Sequence, residues 1–189
     1  MLVDREVLLR PWAPDDARPL CLAVRESLES LSAWFPWAHA GYAIEETHAW
    51  IEHCMRQWAS GQEYPFGVFA RASGDVLGGV GINQIDTRHR SGNLGYWVRA
   101  SRRGSGVAAT ASRLVACFAF ETLRLVRLEI VVPAVNESSR RTAERIGATY
   151  ECVARHRLLV RGAPTDAAVY SLVAGELASN NPFDPAPEG

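Results

Sequence analysis

Lysine is missing from this chain: all 20 positive side chains among its 189 residues are arginine. That excludes chemistry built on an internal amine, either a Schiff base or the phosphate-binding lysine of a Walker loop. Metal-ligand spacing is missing as well. Cys21, Cys54, Cys117 and Cys152 stand far apart with no C-x-x-C pair, and the 5 histidines form no H-E-x-x-H pattern, so no metal site is expected. Scattered thiols suit a reducing compartment, and a cytoplasmic protein is expected. No apolar run approaches the roughly 18 residues of a membrane span. The opening MLVDREVLLRPW is charged where a signal peptide needs an unbroken apolar stretch. Neither a membrane nor a nucleic acid is an expected partner.

What is present suits a globular protein with an uneven charge. At 48% hydrophobic residues the chain can bury the core of one domain, expected over residues 1–174, ahead of a frayed tail over 175–189 rich in Pro, Asn and acids. Residues 1–87 carry 6 Arg against 12 acids, residues 88–161 carry 14 Arg against 5 acids, and residues 162–189 carry 4 acids and no Arg. Such a division suits a domain that holds a phosphorylated ligand on one side and a cationic one on the other. Solvated faces that average out in three dimensions give the same totals.

Residues 7–10 read as a strand, and Pro14, Asp15 and Asp16 open a helix expected to run to about Ser30. An aromatic loop (31–41, LSAWFPWAHAG) precedes a helix over 45–60, closed by Gly61, whose Trp50 and Trp58 are expected in the core. The period then changes to that of strands at 66–71, 76–86 and 93–99, an antiparallel meander. A largely apolar helix (107–123), a β-branched strand (126–132) and a short Arg-rich helix (137–146) follow, the last with Asn136 as N-cap and Gly147 as stop. Strands at 150–160 and 167–173 flank a turn at Gly162-Ala163-Pro164. The order describes a mixed α/β sheet.

The segment RASRRGSGVAATA (99–111) carries the most chemistry. A strand runs through a Gly-bearing loop into a helix, so unpaired N–H groups gather at the positive end of a helix dipole. Gly104 and Gly106 allow close backbone approach, and Ala108 keeps the first turn small. The loop reads either as a pyrophosphate cradle or as a plain strand-to-helix turn.

Arg103, Gly106 and Ala108 match R-x-x-G-x-A, and LEIVVPAVN (128–136), the NESS run, Gly147 and a late YSL (170–172) follow in order. With VLLRPWAPDDA and the WFPW loop, this pattern resembles the GNAT N-acetyltransferase superfamily over roughly residues 5–174, and within it the RimJ/RimL-like branch of ribosomal-protein α-amino acetyltransferases. The resemblance implies a largely antiparallel sheet, splayed in the middle, with helices on both faces, and acetyl-CoA as cosubstrate. Main-chain groups of Trp97, Val98 and Arg99 would meet the pantetheine arm. Arg103, Gly104, Ser105, Gly106, Val107 and Ala108 would hold the pyrophosphate, with Asn136 both contacting the arm and capping its helix. Trp34, Phe35, Trp37 and His39 would wall the acceptor pocket or plug the first helix.

The reaction implied is attack of a neutral primary amine on an acetyl thioester. The helix tyrosine common in the family is Ala143 here, and the branch's serine is Ser139, implied as donor to the departing thiol and, with Asn136, as part of the cofactor site. Some members carry a carboxylate where this chain has Leu158, so the base is left among Glu63, Glu129, Asp86 and His39. An α-amine titrates near 7.8 and a lysine near 10.4, so reaching the neutral amine costs roughly 3.5 kcal/mol more for lysine. A site without a strong base thus favours a peptide or protein N-terminus. A small-molecule amine and a CoA-binding module weakened in catalysis are the alternatives, and a homodimer stays open.

Overall fold

The structure is a computed structural model, and it describes residues 1–179. Strands β1 (Leu2–Val3), β2 (Val7–Pro11), β3 (Tyr64–Ala70), β4 (Val76–Asp86) and β5 (Ser91–Val98) are successive antiparallel neighbours. Strand β6 (Arg127–Pro133) lies parallel to β5, and β8 (Ala163–Val173) then β7 (Thr149–Val160) complete the sheet of 8 strands. Helices α1 (Ala17–Glu26), α2 (Leu28–Leu31), α3 (Ile44–Ser60), α4 (Val107–Glu121), α5 (Glu137–Ile146) and α6 (Glu176–Ser179) complete the set of α-helices among the described residues. None is long and apolar enough to cross a membrane.

Alternation along the strands decides which helix covers which face. Val7 and Leu9 join the cluster under α4, with Val107, Ala111 and Val115, whereas Leu8 turns to α1 and α3, with Leu20, Val24 and Ile51. The apolar faces are therefore complementary, and the expected helices on both faces are present. Asp16, buried beneath the start of α1, accepts from Arg10 at 2.6 and 2.7 Å and from the Ala13 amide at 2.8 Å, which ties β2 to the helix. Asn136 caps α5 by accepting from the Ser139 amide at 3.1 Å, and Gly147, at φ 98°, ends that helix in left-handed backbone.

Three expectations need correction. The first helix breaks at Ser27, whose hydroxyl donates to Ala23 O (2.7 Å) and accepts from the distant Ala100 amide (2.9 Å). The last hairpin turns at Arg161-Gly162, both with positive φ as a two-residue turn of that hand requires, so β8 begins at Ala163 rather than at 167. Pro164 is tolerated there because β6 pairs with β8 only from Ala167 onward, leaving no ladder partner for a missing N–H. Trp58 is in the core against Phe66 and Phe118, but Trp50 is not: it is 44% exposed and stacks on His53. Of the tail expected from 175, Glu176–Ser179 is the helix α6, and residues 180–189 lie outside the described residues.

The sheet opens in its middle. β5 and β6 pair only at Ser91–Arg127, Gly92–Leu128 and Asn93–Glu129. Beyond these rungs β5 continues to Val98 and β6 to Pro133 with no protein strand between them.

Candidate active site

The free edge of β5 makes one wall of a cleft. Arg99 N–H donates to Leu77 O at 2.8 Å, so the odd residues of β5 turn their main-chain groups to β4, and Tyr96 and Val98 turn theirs to the gap. Of the three residues expected to offer main-chain groups there, Val98 does; Trp97 and Arg99 are committed to β4 by the alternation of the ladder. The side chain of Arg99 is also committed, to Glu26 at 2.6 Å.

At one end of this cleft the chain turns from β5 into α4. Gly104 (φ 78°) and Gly106 (φ 85°) hold left-handed backbone that side-chain-bearing residues adopt only under strain. Residues 104–109 donate no backbone hydrogen bond among the described residues, and the first bond of the helix runs from Thr110 to Gly106 at 3.0 Å. Their amides therefore form a positive rim. Glu26 anchors the loop by accepting from Arg99 and, at 3.0 Å, from the Ser101 amide. The Arg99 guanidinium, helped by Ser101, holds this carboxyl down to about 2.

Arg103, Gly104, Gly106, Val107 and Ala108 line the cleft, whose volume is about 150 Å³, and Asn136 and Ser139 face them from α5. Arg102 and Arg145 join them. Neither they nor Arg103 has a carboxylate within ion-pair distance among the described residues. Ser105 is not part of the lining; its hydroxyl donates to Arg102 O at 2.6 Å. Arg145 was not legible as a site residue, because only the fold turns the far end of α5 toward the α4 loop.

At the other end of the cleft stands Tyr96. Its hydroxyl donates to Ser139 O at 2.9 Å and lies 3.2 Å from Ser139 Oγ, and burial pushes the phenol up to about 12. The α5 position where many relatives of the resembled family carry a tyrosine is Ala143, and the phenol that reaches Ser139 comes instead from β5. Sequence reasoning passed over Tyr96, whose only signal was its place between Leu94 and Val98 on the strand before the Gly-bearing loop.

Tyr96, Trp97 and Phe35 also line a second cavity, of about 620 Å³, so the two spaces meet at these residues. Its floor is the glycine-rich stretch of β4 and β5, and its walls include Trp37, Tyr42 and Trp50. Phe35 stacks on Trp37 (5.4 Å between centroids), and Trp37 meets Trp97 edge-on (6.4 Å). Phe35 and Trp37 thus both line this cavity. Trp34 lines the cleft instead, and His39 lines neither space but bonds Glu46 at 2.9 Å, which does. The cavity carries Glu46 and Glu63 and no arginine, the reverse of the cleft. The Ala43 amide, then His39, hold the Glu46 carboxyl below the usual range.

The candidate bases are dispersed. Glu63 lies in the cavity, 3.8 Å from His53 and one residue before the Tyr64–Ile82 pair, which puts it level with the Asn83–Asn93 rung. Tyr96 pairs with Val80, three rungs away, or about 10 Å along the strand. Glu129 lines neither space; Arg127 bonds it at 3.1 Å while gripping Glu151 at 2.6 and 2.7 Å, an arrangement that holds Glu151 at about 2. Asp86 accepts from the His89 amide at 2.9 Å at the end of β4, and it too lines neither space.

Residues 6–149 match the model of the acetyltransferase (GNAT) domain. The chain belongs to the GNAT acetyltransferase family. This GNAT enzyme is 30% identical over 175 residues, 92% of its length and 94% of the other's, to YdaF of Bacillus subtilis, whose name gives ribosomal N-acetyltransferase as a provisional role. A Vibrio cholerae structure described provisionally as a ribosomal-protein-serine acetyltransferase superposes with a TM-score of 0.77 at 31% identity, over 91% of this chain and 96% of that one. Mycobacterium smegmatis RimJ, solved in complex with CoA-disulfide, gives 0.78 at 28% identity, over 90% and 83%. The chain is a GNAT N-acetyltransferase, similar to the RimJ/RimL-like branch.

Proposed function

We propose that the enzyme transfers the acetyl group of acetyl-CoA to the α-amino group of a peptide or protein N-terminus. The observation that carries this reading is the meeting, at Tyr96, of two spaces of opposite charge: an Arg-lined cleft with a free strand edge and helix-end amides, and an Arg-free cavity bearing two carboxylates. The cleft suits a polyanionic carrier with an amide-rich arm. Within it Arg102, Arg103, Arg145 and the amides of residues 104–109 would hold phosphate, and Tyr96 and Val98 would pair with the arm along the strand. The CoA-bound relative supports the assignment.

When bound, acetyl-CoA supplies an activated acetyl thioester whose transfer leaves a sulfur that needs a proton. Ser139 and Tyr96 form the hydroxyl pair nearest the junction, and we assign them the donor role on that side, the Tyr96 O–H turning from Ser139 O toward the sulfur as charge develops there. Burial keeps Tyr96 protonated through neutral pH, so it acts as a donor and not as a base. On the acceptor side, Glu46 and Glu63 attract an ammonium group into the cavity. At about 10 Å from the junction rung, Glu63 acts on charge and orientation rather than by direct contact with the reacting nitrogen. A site so equipped takes an amine already neutral in part at pH 7, an α-amine before a lysine side chain. Four free cysteines and the nature of the substrate accord with a cytoplasmic enzyme.

The test is steady-state release of CoA thiol with N-terminal peptides and with matched peptides whose only amine is a lysine side chain, beside thermal-shift titration of CoA. Faster turnover of the α-amine set at pH 7 is expected, and faster acetylation of lysine would overturn the reading.

A further inference from the structure

We infer that the acceptor is an α-amine whose carbon bears a large apolar side chain, aromatic above all, and not the methyl or hydroxymethyl group of a small first residue. This deepens the proposed function and rests on it. A one-carbon side chain fills on the order of 30 Å³, the share of one water molecule. Against the rings of Trp37, Trp50 and Trp97, a cavity of about 620 Å³ holds far more than that. Its size is that of sites which enclose whole small ligands.

The floor shows that the space is kept open. Gly79, Gly81 and Gly95 leave one patch of the β4–β5 surface without side chains of its own, and the Trp97 indole lies over part of it. Two of these glycines have packing reasons. A Cβ on Gly81 would stand 3.0 Å from Pro65 Cα, and one on Gly79 would stand 2.7 Å from Trp97 Nε1, so Gly79 lets that indole lie against β4. Gly95 has no such reason: its backbone is ordinary strand, and an added Cβ would meet nothing nearer than Asn93 Nδ2 at 3.9 Å. Glycine weakens a strand interior, so its presence where packing does not require it points to room left for a ligand. From the Tyr96 rung to the level of Glu63, the floor runs three rungs, about 10 Å, between aromatic walls. The same chemistry can arrive as a peptide N-terminus or as a free small amine.

The test compares kcat/KM for pentapeptides that differ only in a first residue of Phe, Trp, Leu, Ala or Ser, and for the free amides of phenylalanine and alanine, at one pH. We expect Phe over Ala by roughly 10- to 100-fold in whichever series is turned over, and the faster series identifies the source. Gly95→Val, compatible with a strand, narrows the cavity and should reduce the Phe-to-Ala ratio about tenfold, with CoA titration and a melting curve establishing that the variant is folded. Ser or Ala peptides matching the Phe peptide would overturn the inference, as would a Gly95→Val variant that slows Phe and Ala substrates in equal proportion. Failure of every amine to release CoA thiol would instead overturn the proposed acceptor class itself, a result distinct from turnover without preference.

Discussion

Replacing Tyr96 with phenylalanine removes a single oxygen from the place where cleft and cavity meet, and two effects of different size should follow. The hydroxyl donates to Ser139 O at 2.9 Å in a largely buried setting. Its loss should cost about 1 kcal/mol of stability, which for a chain of this length lowers Tm by about 2–4 °C. The same oxygen is assigned a share in stabilising charge on the departing sulfur, and removal of one preorganised donor typically lowers kcat by roughly 100-fold, about 2.7 kcal/mol. A melting curve that finds the variant folded at 25 °C separates the loss of rate from the loss of stability. Ser139→Ala should lower kcat by a similar factor, and because the two hydroxyls lie 3.2 Å apart and act as a unit, the double variant should fall only a few-fold below either single one. The pH profile adds a check. With Tyr96 at about 12, its proton stays on through about pH 9, so the rising limb is set by the amine. Tyr96→Phe should lower the plateau without moving that limb. A kcat within about threefold of the parent, alongside the expected fall in Tm, would show that Tyr96 merely braces Ser139.

Glu26→Gln should loosen the loop before α4 and raise the CoA Kd about three- to tenfold by calorimetry; an unchanged Kd would mean that the loop stands without its anchor. Because Arg99 depresses the Glu26 carboxyl to about 2, the contribution of this tether to stability is present above about pH 4.5 and is lost as the pH falls through about 2, which melting curves across that range can follow. Arg103→Ala should weaken CoA about tenfold and flatten the salt dependence of binding; equal salt slopes for both proteins would place Arg103 off the phosphates. Burial pushes the Cys54 thiol up to about 12, whereas Cys152 is exposed. Native protein should therefore give an early disulfide-exchange phase that Cys152→Ser abolishes, with Cys54 reacting only on unfolding.

The layer order and most element boundaries could be read ahead of the structure because they follow from local rules: period-2 apolar runs at 66–71 and 76–86, Asn136 as a cap, and Gly61 and Gly147 as stops. The R-x-x-G-x-A loop was legible for the same reason, as a run of backbone chemistry in a few consecutive residues. What was missed is relational. Ser27 splits the first helix through an amide 73 positions away, and Trp50 leaves the core because α3 faces a cavity. Tyr96 becomes a site residue only once β5 and α5 are brought together. Glu129 fits the pattern of a catalytic carboxylate along the chain, yet in space it belongs to the ion pairs around Arg127.

The parting of β5 from β6 has a further consequence, for the life of the protein before it meets any acceptor. Residues 94–98 and 130–133 expose unpaired main-chain edges inside the molecule, and such edges template pairing with other chains. If the carrier pairs with the edge of β5 as proposed, it would also cover that edge, and the cosubstrate would then guard the fold as well as feed the reaction. At 100 times its Kd a ligand that binds only the native state adds about 2.7 kcal/mol to stability. The abundance of the folded enzyme would then track the supply of acetyl-CoA, linking the level of the catalyst to the metabolic state that feeds it.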